Sequence, residues 1–408
     1  MPKLNRRDLL TWFALAPTLP RFLIQSAQAT SLQSASSDDN DRIVVVVRMV
    51  GGNDGLSTVV PIHDDRYYKA RPTIAIAKQD AIAMSDSDLG LNPWLSDIQR
   101  LMDDGYASIV QGVGYPNSSR SHTRSTEIWE TGSLANDAPS EGWLGRYLDH
   151  ACECSTDGIA GVQFGEGLDR TLASRAGRSM SIAHTQLLLE LKPDMPRTVT
   201  ARGPRAGRLD YLRQVENSLG DASRQLRQAV RGIGDTFDYP ETSFGQSLRW
   251  AGDMIETGCA TRIYYVTIGS FDSPQSASFD THIDQLDKHK ILYSELGGGL
   301  RAFAGHMRRA GQFNRVLLLT FSDFGRQVAE NRIRGTDHGD ASVLFLMGGA
   351  IRPGLLGQPT DLGKMHDGGL DANLDFRRVY TDVLQNWLQV DPRSILGETI
   401  EPFSVVKA

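Results

Sequence analysis

The sequence predicts an α/β fold with a mostly parallel central sheet and helices on both faces. Three observations predict it. Five β-branched or leucine-rich runs recur along the 408 residues, nearly continuous in apolar character, as strands buried on both faces are. Amphipathic stretches alternate with them, the pattern of strand–helix–strand units. The composition, 40% hydrophobic and 23% charged, is that of a globular chain long enough for a large core.

The first element is an export signal. Arg6-Arg7-Asp8-Leu9-Leu10 is a twin-arginine pattern, the stretch from Leu10 to Ile24 is moderately apolar, and Ala27-Gln28-Ala29 is a small-x-small cleavage site. Pro17 and Pro20 interrupt the apolar stretch, which is too short to span a bilayer. Residues 1–29 are therefore expected to engage the twin-arginine export machinery and be removed, placing the mature chain in the periplasm or outside the cell with no membrane span. Residues 30–41 (TSLQSASSDDND) read as a flexible leader. The rest, 42–408, reads as a single domain. A formal net charge of −6 argues against a nucleic-acid surface. Cys152, Cys154 and Cys259 are too few and unevenly placed for a disulfide framework or a zinc knuckle.

Candidate strands are Ile43–Val47, Ser108–Val113, Arg262–Ile268, Arg315–Phe321 and Ser342–Met347. Helical spacing of apolar residues runs from Leu91 to Leu101, through 243–257 and 283–308, and from Val379 to Val390. Residues 205–232 suit a polar surface helix. Residues 133–205 are irregular and polar, and are expected to form a cap or insertion over the sheet edge.

The strand ends carry the chemistry. The first strand runs into Gly51-Gly52-Asn53-Asp54-Gly55. The second delivers Ser118, Ser119, Arg120, Ser121 and His122. The third is followed by Asp272, Asp280 and His282. The fourth ends in Ser322-Asp323-Phe324-Gly325-Arg326, and Asp337-His338 stands just before the fifth. Ligands of open α/β sheets bind outside the carboxyl ends of the strands, and carboxylate with imidazole suits a divalent metal. Singly, an Asp at such a turn is most often a helix N-cap. Five loops carrying acid, histidine or hydroxyl beside glycine point to a shared site.

The stretches RMVGGNDGLSTVVP, VGYPNSSRSHTRSTEIWETG, GWLGRYLD, FDTHIDQLDKH, LTFSDFGRQVAEN and GTDHGDASVLFLMGGAI resemble, in order and over about residues 42 to 395, the DUF1501 family of exported proteins within the alkaline phosphatase-like superfamily. The resemblance implies an alkaline phosphatase-like three-layer sandwich. It also implies one or two divalent ions (zinc, manganese or calcium) at the strand ends and a hydroxyl or formylglycine nucleophile. Carried over by residue, Asp54, His122, Asp280, His282, Asp323, Asp337 and His338 are candidate metal ligands, with Asp337 alternatively a partner to a ligand. Ser121 is the candidate nucleophile, with Ser119 or Ser118 as alternatives. Arg120 is expected to clamp the anionic oxygens of the substrate, or else to form a salt bridge beside the site. Phe324 stands where the superfamily's Ser-Asp-His-Gly motif has its histidine. Asp272 competes with Asp280, and His289 and His366 are reserve ligands. The function implied is hydrolysis of a phosphate or sulfate ester on a small, glycan-linked or lipid-linked substrate. Its rivals are an exported binding or envelope protein without hydrolysis, and a transferase of phosphoryl-linked groups.

Overall fold

The computed structural model describes residues 41–84, 87–151, 159–183, 237–271 and 277–407. The export signal, residues 30–40 of the leader, Cys152, Cys154, Asp272 and the helix expected at 205–232 lie outside the described residues.

Nine strands form one sheet: β1 (Ile43–Met49), β2 (Ala107–Gly114), β3 (Gly161–Phe164), β4 (Ser179–Ile182), β5 (Ile263–Ile268), β6 (Val316–Ser322), β7 (Ser342–Gly348), β8 (Gly354–Leu356) and β9 (Leu374–Asp375). Their order is β8-β2-β7-β6-β1-β5-β3-β4, with β9 also paired to β2. β6, β1, β5, β3 and β4 run parallel. β7 is antiparallel to both its neighbours. The principal helices are α1 (Ser96–Asp103), α2 (His122–Thr131), α3 (Trp143–Ala151), α4 (Ser243–Glu256), α5 (Gln285–Arg309) and α6 (Arg377–Asp382).

The run IVVVV in β1 has no polar alternation because both faces are covered. Ile43, Val45, Val47 and Met49 join a core with Ile98 of α1, Leu248 of α4 and Leu300 of α5. Val44 and Val46 point the other way, into a core with Trp129 of α2, Leu144 of α3 and Tyr380 of α6. Side chains alternate across a strand, so a wholly apolar strand needs a helical layer on each side. The result is an α/β fold of three layers.

Two expected elements differ. The described part of 133–205 contributes α3 and the short strands β3 and β4, which extend the central sheet beyond β5. Strands of four residues are too short for periodicity to reveal them. The helix expected from Leu91 begins instead as a 3₁₀ turn at Pro93–Leu95, capped by Asn92, before α1.

Register brings the loops together. Met49 lies opposite both Ile268 and Ser322, so β1, β5 and β6 end level. β7 is antiparallel and starts at that edge, and Val113 near the end of β2 faces Ser342 at its start. The segments after β1, β2, β5 and β6 and before β7 therefore share one edge of the sheet.

Candidate functional site

The glycines after β1 are there for close approach. Gly51 has φ +116°, and a Cβ there would lie 2.2 Å from the backbone nitrogen of Asp280. A Cβ on Gly52 would sit 2.6 Å from the Phe324 ring. Asn53 stitches the loop inward: its Nδ2 donates to Thr58 Oγ1 at 3.0 Å and its Oδ1 accepts from the Tyr293 hydroxyl at 2.9 Å. Asp54 caps the single turn Gly55–Thr58. Its carboxylate also accepts from Arg71 Nη1 and Gln285 Nε2, both at 2.6 Å, and from Ser57 Oγ at 3.0 Å. Asp54 and Arg71 are both essentially inaccessible. Burial opposes the charge of Asp54, but Arg71 outweighs it and holds the carboxyl below its usual range. The oxygens expected to bind a metal are thus saturated by protein donors.

The residues that do converge are His122, His282, His338 and Asp280. His338 Nε2 and His282 Nε2 each lie 3.1 Å from Asp280 Oδ1 and 2.9 Å from each other. His122 Nε2 lies 3.6 Å from Asp280 Oδ2, buried and without a hydrogen-bond partner. His122, Asp280 and His338 offer ligand atoms that all lie within 4.8 Å of one another.

The opposite ring nitrogens explain why this matters. His338 Nδ1 faces the Arg120 carbonyl at 2.8 Å. A carbonyl only accepts, so that nitrogen carries the hydrogen. His122 Nδ1 faces Asp323 Oδ2 at 2.8 Å, and His282 Nδ1 faces Asp337 Oδ1 at 3.0 Å. Ionised carboxylates also only accept. In neutral rings all three Nε2 atoms therefore present lone pairs, to one another and to a carboxylate. Such a cluster requires positive charge, either as extra ring protons or as a metal ion. Burial disfavours a proton on His122, yet the carboxylates of Asp280 and Asp323 on either side of the ring outweigh it and raise the pKa to about 9. Burial is likewise overcome at Asp280, where the facing His122 and His338 rings and the Arg326 guanidinium hold the carboxyl far below its usual range. The donor set fits a divalent cation.

Other expected residues have other places. Phe324 is buried and walls the cluster, its ring centroid 4.8 Å from that of His122 and 4.4 Å from that of His338. Asp337 is half exposed and reaches His282. Ser121 is exposed at the N-cap position of α2, and its side chain makes no capping bond. Ser118 Oγ is buried without a partner, and Ser119 Oγ lies 3.4 Å from Ser125 Oγ. Arg120 is the salt bridge of the two readings: Nε and Nη2 donate to Asp340 at 2.9 and 2.6 Å. His289 is fully buried among structural groups, and His366 is exposed.

Three arginines escaped sequence reasoning. Arg326 Nη2 donates to Asp280 Oδ1 at 2.6 Å and to the Phe279 carbonyl at 2.9 Å, while its Nε donates to the Gly52 carbonyl at 2.8 Å. It ties the loops after β1 and β5 to that after β6. Arg71 neutralises Asp54. Arg48 lies 4.0 Å from the second, unpartnered oxygen of Asp323 and donates to Asp169 at 3.3 Å. Beside it, burial and the charge of Asp169 push Glu130 up to about 8. No local pattern marks an arginine as a buried counterion; position after folding decides it.

The chain belongs to the family described as protein of unknown function (DUF1501), which matches residues 105–370. No curated protein matches the sequence. Among solved structures it is similar to a protein in the alkaline phosphatase superfamily from Vibrio parahaemolyticus (9% identity, 93% of this chain and 79% of that one, TM-score 0.37). It is also similar to the lipoteichoic acid synthase LtaP from Listeria monocytogenes (10% identity, 90% and 78%, TM-score 0.36). A third is the zinc complex of the C-terminal periplasmic domain of EcEptC from Escherichia coli (10% identity, 76% and 73%, TM-score 0.35).

Proposed function

We propose that this chain is an exported, metal-dependent hydrolase of phosphate or sulfate esters. One observation carries the reading: three imidazole Nε2 atoms converge on Asp280 at the sheet edge that also holds the exposed Ser121. His122, Asp280 and His338 would hold the ion, with His282 beside them. Mixed nitrogen and oxygen donors favour zinc or manganese over calcium, which takes oxygen. The ion would supply a Lewis acid that polarises an ester oxygen and lowers the pKa of a hydroxyl. One ion fits better than two, because Asp54 is saturated by Arg71 and Gln285 while Asp323 is bonded to His122. Ser121 is the nucleophile in this reading: its hydroxyl is accessible at the positive end of α2, where an anionic ester is favoured.

A second reading is a binding protein that keeps the centre without turnover. It is favoured by Arg120, whose guanidinium is committed to Asp340 rather than left for a substrate anion. A transferase of phosphoryl-linked groups would share the nucleophile and differ in its acceptor.

Elemental analysis of mature protein purified without chelator tests the centre. About one divalent ion per chain is expected, lost in His122→Ala/His338→Ala. A screen of phosphate and sulfate monoesters then tests the chemistry, with turnover abolished in Ser121→Ala. Metal without serine-dependent turnover would select the binding reading. Folded protein that takes up no ion would refute the hydrolase.

A further inference from the structure

We propose that Asp323 and Arg120 are positioning residues for two imidazoles of the cluster: Asp323 through its carboxylate on His122, and Arg120 through its main-chain carbonyl on His338. These roles presuppose the metal centre proposed above. Neither is the role that the residue type suggests, a metal ligand for the aspartate and an anion clamp for the arginine.

Arg120 has no donor to spare. Its Nε and Nη2 serve Asp340; Nη1 serves the Asp367 carbonyl at 2.8 Å and its carboxylate at 3.3 Å; Nη2 also serves the His366 carbonyl at 2.7 Å. A guanidinium carries five N–H groups, and all five are used. The backbone of Arg120 has φ +51°, in the left-handed region that side chains other than glycine seldom adopt. Such a conformation persists where its surroundings over-determine it. Five hydrogen bonds to Asp340 and to the 366–367 turn are such surroundings. Their consequence is a carbonyl aimed at His338 Nδ1.

Asp323 is fully inaccessible, and one of its oxygens is occupied by His122 Nδ1. The other faces Arg48, 4.0 Å away, and makes no hydrogen bond. Arg48 in turn is held by Asp169 and Thr126. A carboxylate anchored in this way fixes the rotation and tautomer of an imidazole and raises its basicity as a ligand. Both devices leave Nε2 as the atom offered to the cluster.

Zinc titration by calorimetry on the metal-stripped mature chain tests these roles, with Asp323→Asn and Asp340→Ala compared to wild type. Zinc Kd is expected to rise about 10- to 100-fold in each variant, the usual effect of removing a group that orients a ligand. The cobalt absorption spectrum should keep its wild-type shape, because no ligand is removed. Two-bond ¹H–¹⁵N spectra should show His122 and His338 as Nδ1–H tautomers in wild type and as mixtures in the matching variants. Unchanged Kd and tautomers would overturn the proposal. So would an altered cobalt spectrum in Asp323→Asn, which would make Asp323 a ligand. For Arg120, an Asp340→Ala variant with wild-type zinc affinity and a lowered KM for an ester would restore the clamp. If wild-type protein bound no zinc, the metal reading would fall, while the histidine spectra of metal-free protein at alkaline pH would still decide the positioning roles. If Asp323→Asn failed to fold, Asp340→Ala and the wild-type spectra would carry the test.

Discussion

Asp54 and Arg71 show how one residue's role turns on its partner. A carboxylate at a strand end is a plausible metal ligand until an inaccessible guanidinium is found 2.6 Å away. Removing one member of a buried pair strands the other charge, so Arg71→Met is expected to destabilise the fold by about 3–5 kcal/mol. Urea unfolding measures this, and the double variant Asp54→Asn/Arg71→Met should recover part of the loss. A loss under about 1 kcal/mol in Arg71→Met would mean that the pair is not buried as described. His289 gives the pH prediction. It is wholly buried, neither ring nitrogen has a partner, and burial pushes its pKa down to about 3 from 6.5. The unfolded chain therefore binds a proton there that the folded chain refuses. The stability it contributes is complete above pH 6.5 and is lost as pH falls from about 6.5 toward about 3. His289→Met should flatten this acid limb, by on the order of a few kcal/mol between pH 7.5 and pH 4. Parallel urea midpoints for wild type and variant at the two pH values isolate it from the carboxylates common to both.

Loops are the elements that build the site, and β1 shows the mechanism. Its exit loop must let the Asp280 segment cross Gly51 and the Phe324 ring cross Gly52. Phe324 packs on both His122 and His338, so anything that moves it moves the cluster. Gly52→Ala is expected to cost about 1–3 kcal/mol through overpacking and to weaken zinc binding as well. Gly105→Ala is a contrasting control: Gly105 has a left-handed backbone, with φ +78°, but open space around it, so its strain should leave zinc affinity unchanged. Equal zinc affinity in wild type and Gly52→Ala would break the proposed link between glycine, aromatic wall and metal centre. Helix α2 adds a second element-scale feature. It starts one residue after Ser121, and Gly132 ends it in the left-handed conformation, so serine and histidine are carried on a stable ten-residue element.

At the scale of the molecule, register decides where chemistry collects. The level ends of β1, β5 and β6, with β7 starting beside them, bring residues from 51 to 342 to one edge. Among the described residues no helix is long and apolar enough to cross a membrane. A metal that binds only the folded chain stabilises it by mass action, about 2.7 kcal/mol at 100 times its Kd. Thermal melting should therefore rise with zinc and fall back with chelator in wild type, with little response in His122→Ala/His338→Ala. A wild-type melting temperature indifferent to both would count against the centre.

Much of this was legible in the chain itself. The apolar runs of β1, β5, β6 and β7 announced buried strands, and the glycine-flanked acids and histidines announced the edge at which they would meet, because both signals are local. The four-residue strands β3 and β4 were not legible, being shorter than any usable period. Nor was the division of labour among the carboxylates. Asp54, Asp280 and Asp323 stand in similar strand-end settings. Only the tertiary structure gives Asp54 to Arg71, sets Asp323 behind His122, and leaves Asp280 among three imidazoles with Arg326 at its back. The physical reason is that a carboxylate's role depends on which cation lies within a few ångströms, and those cations arrive from distant parts of the chain.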